Sequence, residues 1–260
     1  MEKLFAVIGF LIIDLYFNLI PRLFSLETIP WLLYAILFFI LVHQVAKLTG
    51  LRGIEDLGVK AHFGWKRNLR IGLLLGAGTW AAMYVLLWGF GDFQIVGVKK
   101  APEAVLFAIE VIGVMFLGSL MYNLIVRGYI FAHLKGKIRN AHLLLVSALI
   151  FALDDIWLVG FSLSNALFSF ILGLSLGYVL LKTGSIWMST GMHMGVSVMY
   201  CFVYGVPGSE AATGLLVTAS GDNVSFVLEH AHTFAAIVLL LVILVIYPWL
   251  KLNSVHTYRH

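Results

Sequence analysis

The chain reads as a succession of apolar blocks broken by short polar stretches. Eight blocks stand out, at roughly 4–20, 29–48, 71–90, 104–126, 141–159, 162–181, 186–204 and 227–250. About 20 residues rising 1.5 Å each cross the hydrocarbon core of a bilayer, so blocks of this length read as transmembrane helices. The pattern predicts an all-α, polytopic membrane bundle of about eight helices, with residues 1–260 forming one integral membrane domain. Between the second and third blocks, Thr49 to Arg70 sets Leu51, Ile54, Leu57 and Val59 among charges. That spacing predicts an amphipathic segment lying at the membrane interface. Pro207 to Ser225 is rich in Gly, Ala, Ser and Thr and reads as a mobile loop.

Composition strengthens this reading. With 61% hydrophobic and 12% charged residues, the chain has too little polar surface to cover a water-soluble fold. Cys201 is the single cysteine, which excludes an intrachain disulfide and a cysteine metal cluster. The first block follows Met1, Glu2 and Lys3 and ends at Pro21 and Arg22 without a small-x-small cleavage pattern, so it reads as a retained span. Charge then sets the orientation. Lys47, Arg52, Lys60, Lys66, Arg67, Arg70, Lys135, Lys137, Arg139, Lys182, Lys251, Arg259 and Lys3 fall on one side, against Arg22, Lys99 and Lys100 on the other. The positive-inside rule places both termini in the cytoplasm, in a membrane of prokaryotic cytoplasmic type. The partners expected are the lipid bilayer and a transmembrane protein or peptide. No nucleic acid and no cofactor is implied, and the sequence leaves open whether a metal binds.

Ionisable residues inside apolar blocks are candidates for function. Asp14 and Asn18, one helical turn apart, suit a structural hydrogen bond, and His43 sits near a helix end. Asp154 and Asp155 are adjacent, so their side chains point about 100° apart and serve different surroundings. His193 is flanked by Ser189, Thr190, Gly191 and Gly195, small residues that let helices approach closely. Glu229 and His232 share a face and, with His230, could hold a metal, although the spacing matches no strong motif. A helix-start dipole explains Glu229 equally well. Arg127 is the sharpest problem, because a guanidinium at membrane depth costs about 2.5–3.5 kcal/mol on insertion scales.

Four stretches carry a family resemblance. RGYIFAHL (Arg127–Leu134) is similar to the R-G-Y-x-F continuation of an E-E-x-x-x-R motif; VSALIFALDD (Val146–Asp155) is similar to S-A-x-x-F-x-x-x-H. ILGLSLGYVLLKTGSIWMSTGMHMGVS (Ile171–Ser197) matches a G-x-x-x-G frame leading through T-G-S-I-W to H-x-x-x-N. DLGVKAHFGWKRNLRIGLLLG is similar to the family's amphipathic approach to its third span. Together they resemble the CPBP family, the Abi or CAAX-protease-like membrane proteins, with a core at about 104–204. The resemblance implies glutamic-type intramembrane proteolysis, in which a glutamate and a histidine prepare a water while His and Asn stabilise the oxyanion.

The departures from that motif set are specific. Its two glutamates fall on Tyr122 and Asn123, its second-motif histidine on Asp155 and its asparagine on Ser197, while Arg127 and His193 are kept. The loss of carboxylates from the fourth block and the gain of Asp155 on the fifth predict an Arg127–Asp155 ion pair. On this reading the chain is a degenerate member, a non-proteolytic scaffold or regulator of a membrane partner. Alternatives are a peptidase with Asp155 and His193 as rearranged catalytic residues, aided by Glu229, and a bacteriocin-immunity-type protein. In a blander alternative the polar residues only knit the bundle.

Overall fold

Each expected block is helical in the computed structural model, which describes residues 2–24, 28–90, 93–206, 214–220 and 226–250. The helices are α1 (Glu2–Leu23), α2 (Thr28–Leu48), α3 (Trp65–Gly89), α4 (Ala101–Asn123), α5 (Ile130–Leu134), α6 (Asn140–Asp154), α7 (Ile156–Val159), α8 (Leu163–Thr183), α9 (Ile186–Tyr204) and α10 (Phe226–Ile246). A π-helix over Leu124–Tyr129 joins α4 to α5 without a break. Six of the helical stretches are long and apolar enough to cross a membrane: Lys3–Leu23, Ile29–Leu48, Trp65–Gly89, Ala101–Leu134, Leu163–Thr183 and Glu229–Trp249. Their outer faces carry exposed Leu4, Phe5, Leu74, Leu106, Ile109 and Leu241, as hydrocarbon contact requires. The chain is therefore an integral membrane protein. The two remaining blocks differ for physical reasons: α6 is shorter, and α9 lies inside the bundle with most of its side chains buried.

The closest packing is between α3 and α9. A Cβ on Gly72 or Gly76 would meet the carbonyl oxygens of Met188 and Met192, and one on Gly191 or Gly195 would meet those of Leu69 and Leu73. Two G-x-x-x-G faces thus interlock backbone to backbone. In lipid, where apolar burial does not drive helices together, such contact is what van der Waals packing needs. This crossing holds the α9 backbone on either side of His193 in place. Helix α8 starts at Ser162, whose hydroxyl accepts the Asn165 N–H at 3.1 Å, and ends at Gly184, which takes the left-handed conformation at φ 65°.

The connecting segments carry structure of their own. The amphipathic Thr49–Arg70 segment holds a 3-10 turn at Ile54–Leu57, with Leu57 in the core, and enters α3 at Trp65. The Ile186 N–H donates to the Gly58 carbonyl at 3.1 Å, and the Leu57 carbonyl passes close to Gly128. The segment folds inward because Leu57 has a place between the π-helix and the start of α9. On its exposed side Arg52 makes a two-pronged contact with Asp56, at 2.9 and 2.6 Å, which holds the Asp56 carboxyl below its usual range.

Part of the Pro207–Ser225 stretch, read from its composition as a mobile loop, is a strand. Leu216–Ser220 is strand β2, paired antiparallel with β1 (Phe93–Val98), with a register shift between Ile95 and Gly97. Positions 207–213 and 221–225 of that stretch lie outside the described residues, as do Lys251 and Arg259 in the tail. Among the described residues the bundle is all-α apart from this two-stranded ribbon.

Candidate functional site

The site forms where the α4–π junction meets α6 and α9. Asn123 is its hub. Its Nδ2 donates to the Ser119 carbonyl at 2.7 Å and to His193 Nδ1 at 3.4 Å, while its Oδ1 accepts from Arg127 Nη1 at 2.8 Å. Three contacts that agree on which end is oxygen orient the amide unambiguously. They also fix the imidazole: Nδ1 accepts, so the ring proton of His193 sits on Nε2. His193 and Ser197 are partly exposed, whereas Asn123 and Arg127 are fully buried.

The π-helix explains how one stretch supplies so much of this. A π-bulge inserts a residue into the helical register and re-aims the side chains that follow, and such bulges favour functional sites. All six of its residues are buried. One of its carbonyls, that of Val126, receives the Ser147 hydroxyl at 2.7 Å. Gly128 leaves room for the Leu57 carbonyl on the opposite face.

Aromatic rings wall the site. The Phe151 ring lies 4.4 Å from the Arg127 guanidinium carbon, 5.1 Å from the Tyr122 ring and 5.8 Å from His193. Tyr122 also stacks on Phe17 at 5.6 Å, and its hydroxyl donates to the Phe151 carbonyl at 3.3 Å. Position 122 is thus a packed ring, with no carboxylate to offer the site. Phe151 and Ser147 are site residues that the charge-based search passed over. Both are letters of the S-A-x-x-F motif, so the signal lay in its apolar and small positions.

The expected Arg127–Asp155 ion pair is not formed. Among the described residues the only ion pair is Arg52–Asp56, and Asp155 instead accepts a short hydrogen bond from the Ser169 hydroxyl of α8. The two adjacent aspartates do diverge. Asp154 turns to α1, where Asn18 Nδ2 donates to it at 2.7 Å and the Asp14 carboxyl faces it within hydrogen-bonding reach. Asp155 caps α6 and turns to α8. Neither pairs with the guanidinium. Arg127 keeps one hydrogen bond and one cation–π contact, and its Nε and Nη2 have no partner.

Of the sequence candidates, the structure brings Tyr122, Asn123, Arg127 and His193 together, with Ser197 one turn along α9 from His193. The residues opening α10 go elsewhere. His230 Nδ1 contacts the Ser164 hydroxyl at 3.2 Å, and Glu229 is exposed. His232 sits among the rings of Trp80, Tyr84, Phe168, Tyr200 and Tyr204. Among the described residues no three His, Cys, Asp or Glu side chains gather into a metal-binding group.

A family model matches this region: type II CAAX prenyl endopeptidase, Rce1-like, over residues 104–199. No curated protein and no solved structure shows a significant match to the chain. The matched segment contains every motif position discussed above, from Tyr122 through Ser197. The CPBP frame read from the sequence and the match agree: over residues 104–199 the chain is similar to the Rce1-like type II CAAX prenyl endopeptidases.

Proposed function

We propose that this chain is a non-hydrolytic Rce1-like membrane protein, one that holds a transmembrane partner where its relatives would cut a peptide. The observation that carries the reading is the amide of Asn123, hydrogen-bonded at once to His193 and Arg127. Activating a water requires a base, and the group facing His193 is an amide with no basic lone pair. The nearby carboxylates are engaged by Asn18 and Ser169, which weighs against Asp155 as a replacement base. The site belongs to a core at about 104–204 within a single membrane domain, whose two termini lie on the cytoplasmic side.

The test is reconstitution of the full chain in vesicles with a membrane-anchored peptide reporter. The wild-type protein is expected to leave the reporter intact and to co-purify with a membrane partner. The combined variant Tyr122→Glu, Asn123→Glu, Asp155→His and Ser197→Asn, which restores the motif residues, is expected to gain cleavage. Cleavage by the wild type that disappears in His193→Ala would overturn the proposal.

A further inference from the structure

A second polar cluster lies between α1 and α6, away from His193. Asp14 and Asn18 are one turn apart on α1 and so share a face. Asn18 Nδ2 donates to Asp154 Oδ1 at 2.7 Å and to the Asp14 backbone carbonyl at 3.2 Å. The Asp14 carboxyl faces Asp154 within hydrogen-bonding reach, and the Tyr122 hydroxyl of α4 also approaches Asp154. Asp14 and Asn18 are each 8% exposed, Asp154 7% and Tyr122 9%, so the whole cluster is closed to solvent.

Two observations point to a ligand. Ionised carboxyl oxygens are acceptors only, so two of them come within hydrogen-bonding reach when something positive lies between them. Separately, Asp14 Oδ1 is buried and has no hydrogen-bond partner. The protein itself does not supply the positive charge: among the described residues no ion pair reaches either carboxyl. Arg22, one turn beyond Asn18, donates instead to the Asn18 and Trp157 carbonyls. Asp155 adds a further acidic group beside Asp154 and is turned to Ser169. Isolated charge at membrane depth is costly, which makes a bound counter-charge favourable here.

The donor set limits what that ligand can be. Among the described residues no third Asp, Glu, His or Cys joins the two aspartates. Calcium takes about six to eight oxygens, and zinc or copper prefers nitrogen and sulfur, so two carboxyl groups and a phenol suit a single small monovalent cation.

We infer that the Asp14–Asp154 pair is a binding site for one monovalent cation, held between the two carboxyl groups and joining α1 to α6. A proton and a sodium ion share that chemistry. The inference holds whether or not the His193 site cuts a peptide.

The full chain in detergent micelles is unfolded thermally between about pH 6 and pH 9, in sodium chloride and in N-methylglucamine chloride of equal ionic strength. The quantity read is the difference between the wild type and Asp14→Asn, because histidines that titrate in this range are common to both. A bound sodium ion stabilises the wild type alone, by at least about 3 °C in sodium over N-methylglucamine. A bound proton leaves the folded state richer in protons than the unfolded chain. The wild type then loses stability relative to Asp14→Asn as pH rises, equally in both salts. Wild type and Asp14→Asn responding alike to pH and to sodium would overturn the inference. Asp154→Asn takes the same place in the comparison where Asp14→Asn does not fold. The wild type also gives a reading of its own, since a free aspartate is ionised well below about pH 8 and the infrared carbonyl stretch of a neutral carboxylic acid there marks a held proton. A wild type with neither that band nor a response to sodium overturns the inference without any variant.

Discussion

Two buried polar clusters lie within the bundle, and they are opposites. Around Arg127 there are donors and a positive charge but no carboxylate among the described residues. Around Asp14 and Asp154 there are two carboxyl groups, with the Asn18 amide and the Tyr122 hydroxyl as donors to Asp154 and no ion pair among the described residues. A bundle built only for stability would join them into one neutral network. Instead the ring of Phe151 stands over the guanidinium with Tyr122 packed against it, and Asp155 turns away to Ser169.

Removing the ring beside Arg127 is the severest way to break this separation. Phe151→Ala should destabilise the protein by about 3–5 kcal/mol, through the cavity it leaves and the lost cation–π contact. Thermal unfolding in detergent measures it, and a loss below about 1 kcal/mol would contradict the wall. On the acid side, Asn18→Leu strips Asp154 of its amide donor in a buried place. The expected cost is about 1–3 kcal/mol, read by the same unfolding assay.

Asp155 sharpens the comparison. Were it the counter-ion of Arg127, Asp155→Ala would cost about 3–5 kcal/mol. As the acceptor of Ser169 alone, its loss should cost no more than about 1–2 kcal/mol. In a double-mutant cycle with Ser169→Ala the two losses should not add, while a cycle with Arg127→Gln should show no coupling.

The smallest effect belongs to Arg52–Asp56, the ion pair that is formed, on the exposed side of the connecting segment. Because the folded Asp56 carboxyl is held below its unfolded value, its contribution is present above about pH 4 and is lost as pH falls through the lowered value. Unfolding midpoints compared at pH 5 and pH 3 should show a slight acid loss that Asp56→Asn abolishes. The pair is exposed and solvent-screened, so the shift is expected at the edge of detection.

Much of the molecule was legible in its chain. The blocks from 4–20 to 227–250 each became helices, because hydrocarbon leaves the backbone no partner but itself and the required length is set by bilayer thickness. The small residues beside His193 also kept their meaning, as half of the interlock with Gly72 and Gly76. The ribbon was not legible, since FQIVGV finds its partner more than a hundred residues away at LVTAS. Nor was the inward course of Leu57, which local amphipathicity assigned to the interface. The ion pair of Arg127 with Asp155 failed for a similar reason. Neutrality can be counted along a sequence, but the direction of a side chain at the end of α6 depends on which helix stands opposite.

By itself, then, the sequence determined that this is a helical membrane protein and where it resembles a protease family. Those are properties of composition and local order, and they hold wherever the helices pack. Only the tertiary structure decided that Asn123 joins Arg127 to His193, that Phe151 is a wall of the site, and that Asp154 and Asp155 leave it. Hydrogen bonds act over about 3 Å and depend on direction, so they are decided by how the π-helix, α6 and α9 meet.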